Sequence, residues 1–367
     1  MGKEIRLGII GVGQIGKSHL NTYKGIPDAK MVAAADVNEA ELTRVAGEFG
    51  IEHTYTDYKK LLKRDDIDAV DVCLHNNFHA PITIAALKAG KHVYCEKPMA
   101  GTYIDACHMK ETAEETGRML HIQLSTLYSK EHKAAKHLID TGALGQLYYA
   151  RSFGFRRRGR PYVDGYGTSS FVQKQNSAGG ALYDMGVYHI AQILHLLGNP
   201  EILTISGATH QEVAMYDKQR EDSGYNVEEL GLGFARLAGG ITFSLEESWA
   251  LHYDGSESSR IHGSDGGLKL SPLTYYSVIN DVEYSAGVDA GGPDFRWHRW
   301  QENYDAYDSS QHHWIAALQG RVELLPTAAV ALNTMLISEG IYQSTELGKE
   351  VTAAEVRKRS KSTAIKV

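Results

Sequence analysis

The chain has 367 residues, with 38 Lys and Arg against 45 Asp and Glu, a formal net charge of -7. That balance supplies no global attraction for nucleic acid or an anionic membrane and makes small-molecule chemistry the default. No run approaches the roughly 20 apolar residues of a membrane span, and the first strand-like run begins at Ile5, so neither anchor nor signal peptide is expected and the chain is placed in the cytoplasm.

Length alone calls for more than one core. Up to about residue 122, short apolar runs (IRLGII, MVAAAD, AVDVCL, HVYCE, MLHIQL) alternate with helix-like segments such as Glu39 to Phe49 and Ala80 to Ala89. The alternation predicts a parallel sheet with helices on both faces. Three cysteines, Cys73, Cys95 and Cys107, are few and odd in number and read as buried, reduced thiols.

The first strand leads into GVGQIG and the helix-like KSHLNTY. Gly11 permits a tight turn, Gly13 lets the backbone approach a pyrophosphate, Gly16 allows close helix packing, and Gln14 and Ile15 open a helix whose N-terminus attracts negative charge. Asp36 closes the second strand, where an acid binds both ribose hydroxyls and repels a ribose phosphate. No basic residue adjoins it in DVNEAE, so NAD is favoured over NADP.

HVYCEKPMA, at 92–100, falls at the carboxyl end of a strand, the edge where such sheets bind ligands. A lysine there needs a partner or a task. Glu96 is one partner for Lys97, and Pro98 fixes where the lysine points; a salt bridge at a surface turn is the competing reading.

Beyond residue 122 the pattern changes. A helix over Lys130 to Asp140 ends at TGALG, and the strand-like runs QLYYARSFGF, ILTISGAT, LGLGFARLAGGITFSLEESWAL, RIHGSDGGLKL and TYYSVIND follow, separated by Gly, Asp and Ser clusters. A mainly antiparallel sheet is expected. FRRRGRP at 155–161 reads as a solvated loop or subunit contact, with Arg156 a candidate for a substrate anion.

GALYDMGVYHIAQIL, residues 180–194, is an apolar run interrupted by Asp184, Tyr188 and His189. On a helix, residues four apart share a face, so Asp184 and Tyr188 point together and His189 is turned by roughly 100°. The stripe reads as a pocket floor; a helix cap and two core rings bonded to carbonyls is the plain alternative.

Later, FRWHRWQENYDAYDSSQHHW offers Trp297, Trp300 and Trp314 either to a sugar face or to an interface. Its histidines lack a ligand spacing, so no metal site is expected. A helix is predicted over Ala328 to Leu347, bounded by Pro326-Thr327 and Gly348, and the Lys- and Arg-rich last dozen residues read as a frayed tail.

Taken in order, GVGQIG, CLHNNFHAP, EKP, KHLIDTGALG, GGALYDMGVYHIAQILHLLG and GIYQSTELGKEV resemble the glucose-fructose oxidoreductase, inositol dehydrogenase and rhizopine-catabolism family (Gfo/Idh/MocA) over nearly the whole chain. The resemblance implies an N-terminal Rossmann domain, residues 1–122, followed by an α/β domain with a large, mainly antiparallel open sheet, residues 123–367. It implies NAD-dependent hydride transfer to or from a secondary hydroxyl of a sugar, cyclitol or glycoside, by a homodimer or homotetramer. Lys97, Asp184 and Tyr188 then form the catalytic set, with Leu74, His75, Asn76, His79, Glu96 and Gln123 beside the cofactor.

Many members carry His where this chain has Tyr188, and here His189 follows. Spacing favours Tyr188 as proton acceptor; intrinsic pKa favours His189. Transient oxidation with recycled NAD, leading to elimination or isomerisation, is the alternative chemistry. A non-catalytic sensor on the same fold is a third reading, disfavoured because Lys97, Asp184 and the two rings are all present.

Overall fold

The computed structural model describes residues 3–367. Six strands, β1 (Ile5–Ile10), β2 (Ala29–Ala35), β3 (His53–Tyr55), β4 (Ala69–Val72), β5 (His92–Cys95) and β6 (Leu120–Ile122), form a parallel sheet in the order β3-β2-β1-β4-β5-β6. Such a 3-2-1-4-5-6 order has its switch point between β1 and β4, where dinucleotides bind. Helices α1 (Gln14–Tyr23), α2 (Glu39–Phe49), α3 (Tyr58–Leu62), α4 (Asn76–Lys88) and α5 (Tyr103–Thr116) connect the strands.

The second sheet has nine strands: β7 (Leu147–Phe155), β8 (Ile202–His210), β9 (Leu230–Leu237), β10 (Thr242–Ser248), β11 (Arg260–Gly263), β12 (Gly267–Leu270), β13 (Leu273–Ile279), β14 (Val282–Gly287) and β15 (Val351–Thr352). Every pairing is antiparallel except β7 with β10, which run parallel side by side at the centre. Their carboxyl ends therefore lie together. The helix Thr327–Leu347 packs against β8 and the helix Val187–Leu196, closing the apolar face.

Two segments late in the chain return to the first sheet. Trp314 and Ile315 join Ile5, Leu7 and Tyr94 in one buried cluster. The terminal residues, expected to fray, are also docked. Pro81 has no N–H with which to close the helical bond to the Asn77 carbonyl four residues back, and Ile365 N–H donates to that carbonyl instead, at 3.0 Å. Thr363 adds a 2.6 Å bond from its hydroxyl to Asn77 Oδ1 and a 3.1 Å bond from its amide to Asp105. α4 itself begins a turn before the predicted Ala80, at Asn76.

Candidate active site

The glycine turn has the geometry its spacing predicts. Gly11 has φ +94°, and a Cβ there would lie 2.2 Å from the Cys73 carbonyl oxygen. Gly16 packs as tightly, 2.2 Å from the Gly11 oxygen, whereas nothing lies within 4 Å above Gly13. The space over Gly13 is where a pyrophosphate would meet the start of α1, with exposed Gln14 and Ile15 beside it. Asp36 braces this turn: its carboxylate accepts the amides of Val12 and Asn38, each at 2.9 Å.

Beyond β4, Leu74 packs over Gly11, exposed His75 precedes α4, and Asn76 Nδ2 donates to the Ser177 carbonyl at 2.6 Å. His79, predicted among the cofactor contacts, is instead 0% exposed, with its ring between the carbonyls of Pro98 (2.7 Å) and Leu74 (3.0 Å). It fastens the loop after β4 to the loop after β5 from behind. Gln123, just after β6, has a buried Oε1 with no partner among the described residues.

Lys97 follows β5. Glu96 does not pair its ammonium: the carboxylate is buried, accepting the Lys97 amide at 3.0 Å and bonding His19 Nε2 at 2.8 Å. Glu96, expected beside the cofactor, thus has its carboxylate engaged by His19 and its own loop. His19, on α1, also donates Nδ1 to Asp71 at 2.9 Å, so its ring is clasped by two carboxylates. His19, Asp71 and Cys73 bring ligand atoms within 4.8 Å of one another, but the ring nitrogens are taken up by these bonds.

The Lys97 ammonium crosses to the second sheet, where it donates to the main-chain oxygen of Asp184 at 2.8 Å and to Oδ1 at 3.2 Å. It lies 4.8 Å from the centre of the Tyr188 ring. Asp184 is in a π-helical turn, Leu182–Gly186, that runs into the helix Val187–Leu196; such wide turns recur at functional sites. Asp184 caps nothing. Buried Glu228 accepts the amides of Gly180 (2.9 Å) and Leu182 (3.1 Å) at the start of the segment, which frees Asp184 to face the cleft.

From Ala181 to Ile190 only Asp184, Tyr188 and His189 are not fully buried, so the polar stripe does line an open surface. Asp184 Oδ2 takes Trp249 Nε1–H at 3.0 Å and lies 3.7 Å from Arg156. His189 donates Nδ1–H to Glu247 at 2.8 Å, and Ser152 Oγ–H donates to the other carboxylate oxygen. Arg156 and Trp249 follow directly on β7 and β10, and Glu247 stands opposite Gly154 in their parallel register. That shared carboxyl edge assembles this half of the site.

Charge follows from these contacts. Burial works against the Lys97 charge, but Asp184 and then Tyr188 outweigh it, and its pKa lies above the ordinary lysine value. Lys97 is thus a charged donor at neutral pH. Lys97 does pull on Tyr188, yet burial wins and the phenol sits above its ordinary value. His189 is raised too: burial lowers it, and Glu247 more than restores it.

The remaining candidates fall elsewhere. Arg160 is 0% exposed and pairs with Asp164 (2.8 Å) and Glu229 (2.9 Å), so of the FRRRGRP arginines only Arg156 reaches Asp184. Trp314 is core, Trp297 packs against His137 and Tyr304, Trp300 is 81% exposed, and His298 and His312 bond to local Asp308 and Ser309.

Comparison with known proteins identifies the family. The model of the oxidoreductase family with an NAD-binding Rossmann fold (Gfo/Idh/MocA) matches residues 5–124, and that of the Gfo/Idh/MocA C-terminal domain matches residues 132–269. The chain belongs to the Gfo/Idh/MocA family. It is an NAD-dependent oxidoreductase.

Family relatives include D-glucoside 3-dehydrogenase of Escherichia coli K12, 26% identical over 95% of this chain and 97% of that one. Inositol 2-dehydrogenase of Rhizobium meliloti is 25% identical over 95% and 99%. Levoglucosan dehydrogenase in complex with NADH shares the fold, with a TM-score of 0.79 at 22% identity over 95% of this chain and 99% of that one.

Family motifs find Lys97 and Asp184 in the sequence, but not His19, Ser152, Glu247 or Trp249. An acid in the strand run ITFSLEESW was the available signal, since Glu247 falls on the buried face of its strand.

Proposed function

We propose that this chain oxidises a secondary hydroxyl of a sugar, cyclitol or glycoside with NAD, and reduces the corresponding ketone in reverse. One observation carries the reading: Lys97, just after β5, and Asp184, in the π-helical turn Leu182–Gly186, meet at 3.2 Å beside the partly exposed Tyr188 and His189. The glucoside and inositol dehydrogenases among its relatives, and the levoglucosan dehydrogenase that shares its fold, support a polyol as substrate.

The residues present fit the dinucleotide. Gly11, Gly13, Gln14, Ile15 and Gly16 would take the pyrophosphate, Asp36 the ribose, and Leu74, His75, Asn76 and the unpaired Gln123 oxygen the nicotinamide end. Bound there, NAD supplies the acceptor for the hydride from the carbinol carbon.

The Lys97 ammonium donates to the reacting oxygen and stabilises charge that develops on it. Asp184 aims that ammonium, and Arg156 and Trp249 hold Asp184. Arg156 also gives a substrate oxygen a donor. A ring of the 184–189 segment takes the hydroxyl proton.

Val278, Val282 and Tyr284, exposed on β13 and β14, support a homodimer or homotetramer, and three unpaired thiols suit a cytoplasmic location. The test is a screen of inositols, aldoses and alkyl glycosides with NAD and with NADP, following the reduced-cofactor absorbance and the product mass. Ketone and free NADH in equal amounts support the reading. Conversion without NADH would point to recycled cofactor, and no conversion with either would overturn it.

A further inference from the structure

Three places beyond the Lys97–Asp184 pair carry unusual chemistry: the His19 clasp beneath the first sheet, the C-terminal segment on Asn77, and the buried carboxylate behind His189. The third bears directly on the reaction. Glu247 is 0% exposed. Ser152 donates to one carboxylate oxygen and His189 Nδ1–H to the other. A Cβ at residue 154 would lie 2.0 Å from Glu247 Oε2 and 2.4 Å from His189 Nδ1, so glycine is needed there for the pair to form.

A carboxylate can only accept, which makes Nδ1 the protonated nitrogen and leaves Nε2 with a lone pair in the neutral ring. The His189 side chain is 30% exposed, in contrast to its carboxylate partner. Tyr188 is held differently: its ring face carries the Lys97 ammonium, and its hydroxyl has no hydrogen-bond partner among the described residues.

We propose that His189, oriented by Glu247 and Ser152, takes the hydroxyl proton during oxidation, while Tyr188 walls the pocket as a neutral phenol. This rests on the polyol dehydrogenase reading and specifies its proton acceptor. In the step, the O–H proton passes to Nε2 and the C–H bond breaks, its electron pair going to the oxidised nicotinamide as hydride. The C–O bond becomes a carbonyl, with Lys97 donating to its oxygen throughout. Reduction returns the same proton from the imidazolium.

The charged groups acting on the ring are Glu247 from β10, which favours the imidazolium, and Arg156 beyond β7, which opposes it. Lys97 and Asp184 are occupied with each other. The 125–128 turn, which also packs against this helix, brings Thr126 to the Tyr188 carbonyl and no charge. Glu247 is therefore a positioning residue that sets the pH at which His189 becomes free to accept.

The test compares His189→Asn, Tyr188→Phe and Glu247→Gln in the full-length protein, with myo-inositol and methyl glucoside as probes, recording kcat/KM against pH and NAD affinity by titration. His189→Asn is expected to lower kcat/KM by about 10²- to 10³-fold, to abolish the acid limb and to leave NAD affinity unchanged, with partial rescue by added imidazole. Tyr188→Phe should keep the acid limb.

Glu247→Gln should move that limb to lower pH, an effect a purely structural role would not produce. An acid limb intact in His189→Asn but lost in Tyr188→Phe would overturn the assignment while leaving the dehydrogenase reading intact. Wild-type protein that binds NAD but oxidises neither probe, nor any polyol of the wider screen, would overturn both.

Discussion

Lys97 Nζ reaches the Asp184 carboxylate at 3.2 Å and its carbonyl oxygen at 2.8 Å, so a single ammonium ties the end of β5 to the π-helical turn of the second sheet. Lys97→Met should cut kcat by about 10²- to 10³-fold, the scale of removing one charged donor from a developing oxyanion. NAD affinity, measured by quenching of intrinsic fluorescence, should change little. A near-normal turnover would take the ammonium out of the chemistry.

Asp36 secures the Val12 amide at 2.9 Å, and in the proposed site the same carboxylate would take the adenosine ribose. Asp36→Ala should weaken NAD binding by about 1.5–3 kcal/mol, the worth of a charge-assisted hydrogen bond. NADP, which loses a repulsive neighbour, should suffer less, so the ratio of the two kcat/KM values moves toward NADP. A proportionate loss for both cofactors would show that Asp36 only supports the turn.

His19 predicts a pH signature in stability rather than in rate. Burial disfavours its imidazolium, but Asp71 and Cys73 more than compensate, and the folded pKa stands well above the ordinary 6.5. A raised pKa contributes fully below the unfolded value and is lost as pH climbs through the folded one. The stability gap between wild type and His19→Gln, from urea unfolding, should thus be widest below about pH 6.5 and shrink in alkali. At its widest, about 3–5 kcal/mol is expected, because the substitution strands two buried carboxylates. A gap that grows with pH would show that the ring is buried neutral.

The docked C-terminus can be tested by truncation. Removing residues 362–367 leaves the Asn77 carbonyl without its Ile365 donor, in a helix where Pro81 offers none. An unsatisfied buried carbonyl costs about 1–3 kcal/mol, which should appear as a lower Tm. Asn77 adjoins the His75–Asn76 turn, so the KM for NAD should rise about fivefold, or roughly 1 kcal/mol. An unchanged Tm and KM would return the segment to the status of a loose tail.

Gly154→Ala probes the imidazole clasp without touching a titratable group. The new methyl would lie 2.0 Å from Glu247 Oε2, so the carboxylate must move. Loss of kcat/KM by about tenfold or more is expected, with Tm falling by only a few degrees because β7 keeps its pairing. Full activity would show that the His189–Glu247 bond is dispensable.

What the sequence decided alone was whatever acts over a few residues. GVGQIG had to be a turn into a helix because the glycines permit backbone approaches that a Cβ forbids, and the alternation of β-branched runs with 3.6-period segments could fold only as a parallel sheet. Regular helical spacing predicts a shared face for Asp184 and Tyr188 with His189 turned away, whereas His189 is partly exposed with them beyond the π-helical turn Leu182–Gly186. Tertiary structure decided the partners. Lys97 and Asp184 are 87 residues apart, and His189 and Glu247 are 58 apart. The placing of Glu247 beside Ser152 and Gly154 depends on β7 and β10 lying parallel, a pairing no local pattern encodes. Glu96 turned to His19 and the tail found Asn77 for the same reason: a buried polar group takes whichever partner the completed fold brings within reach.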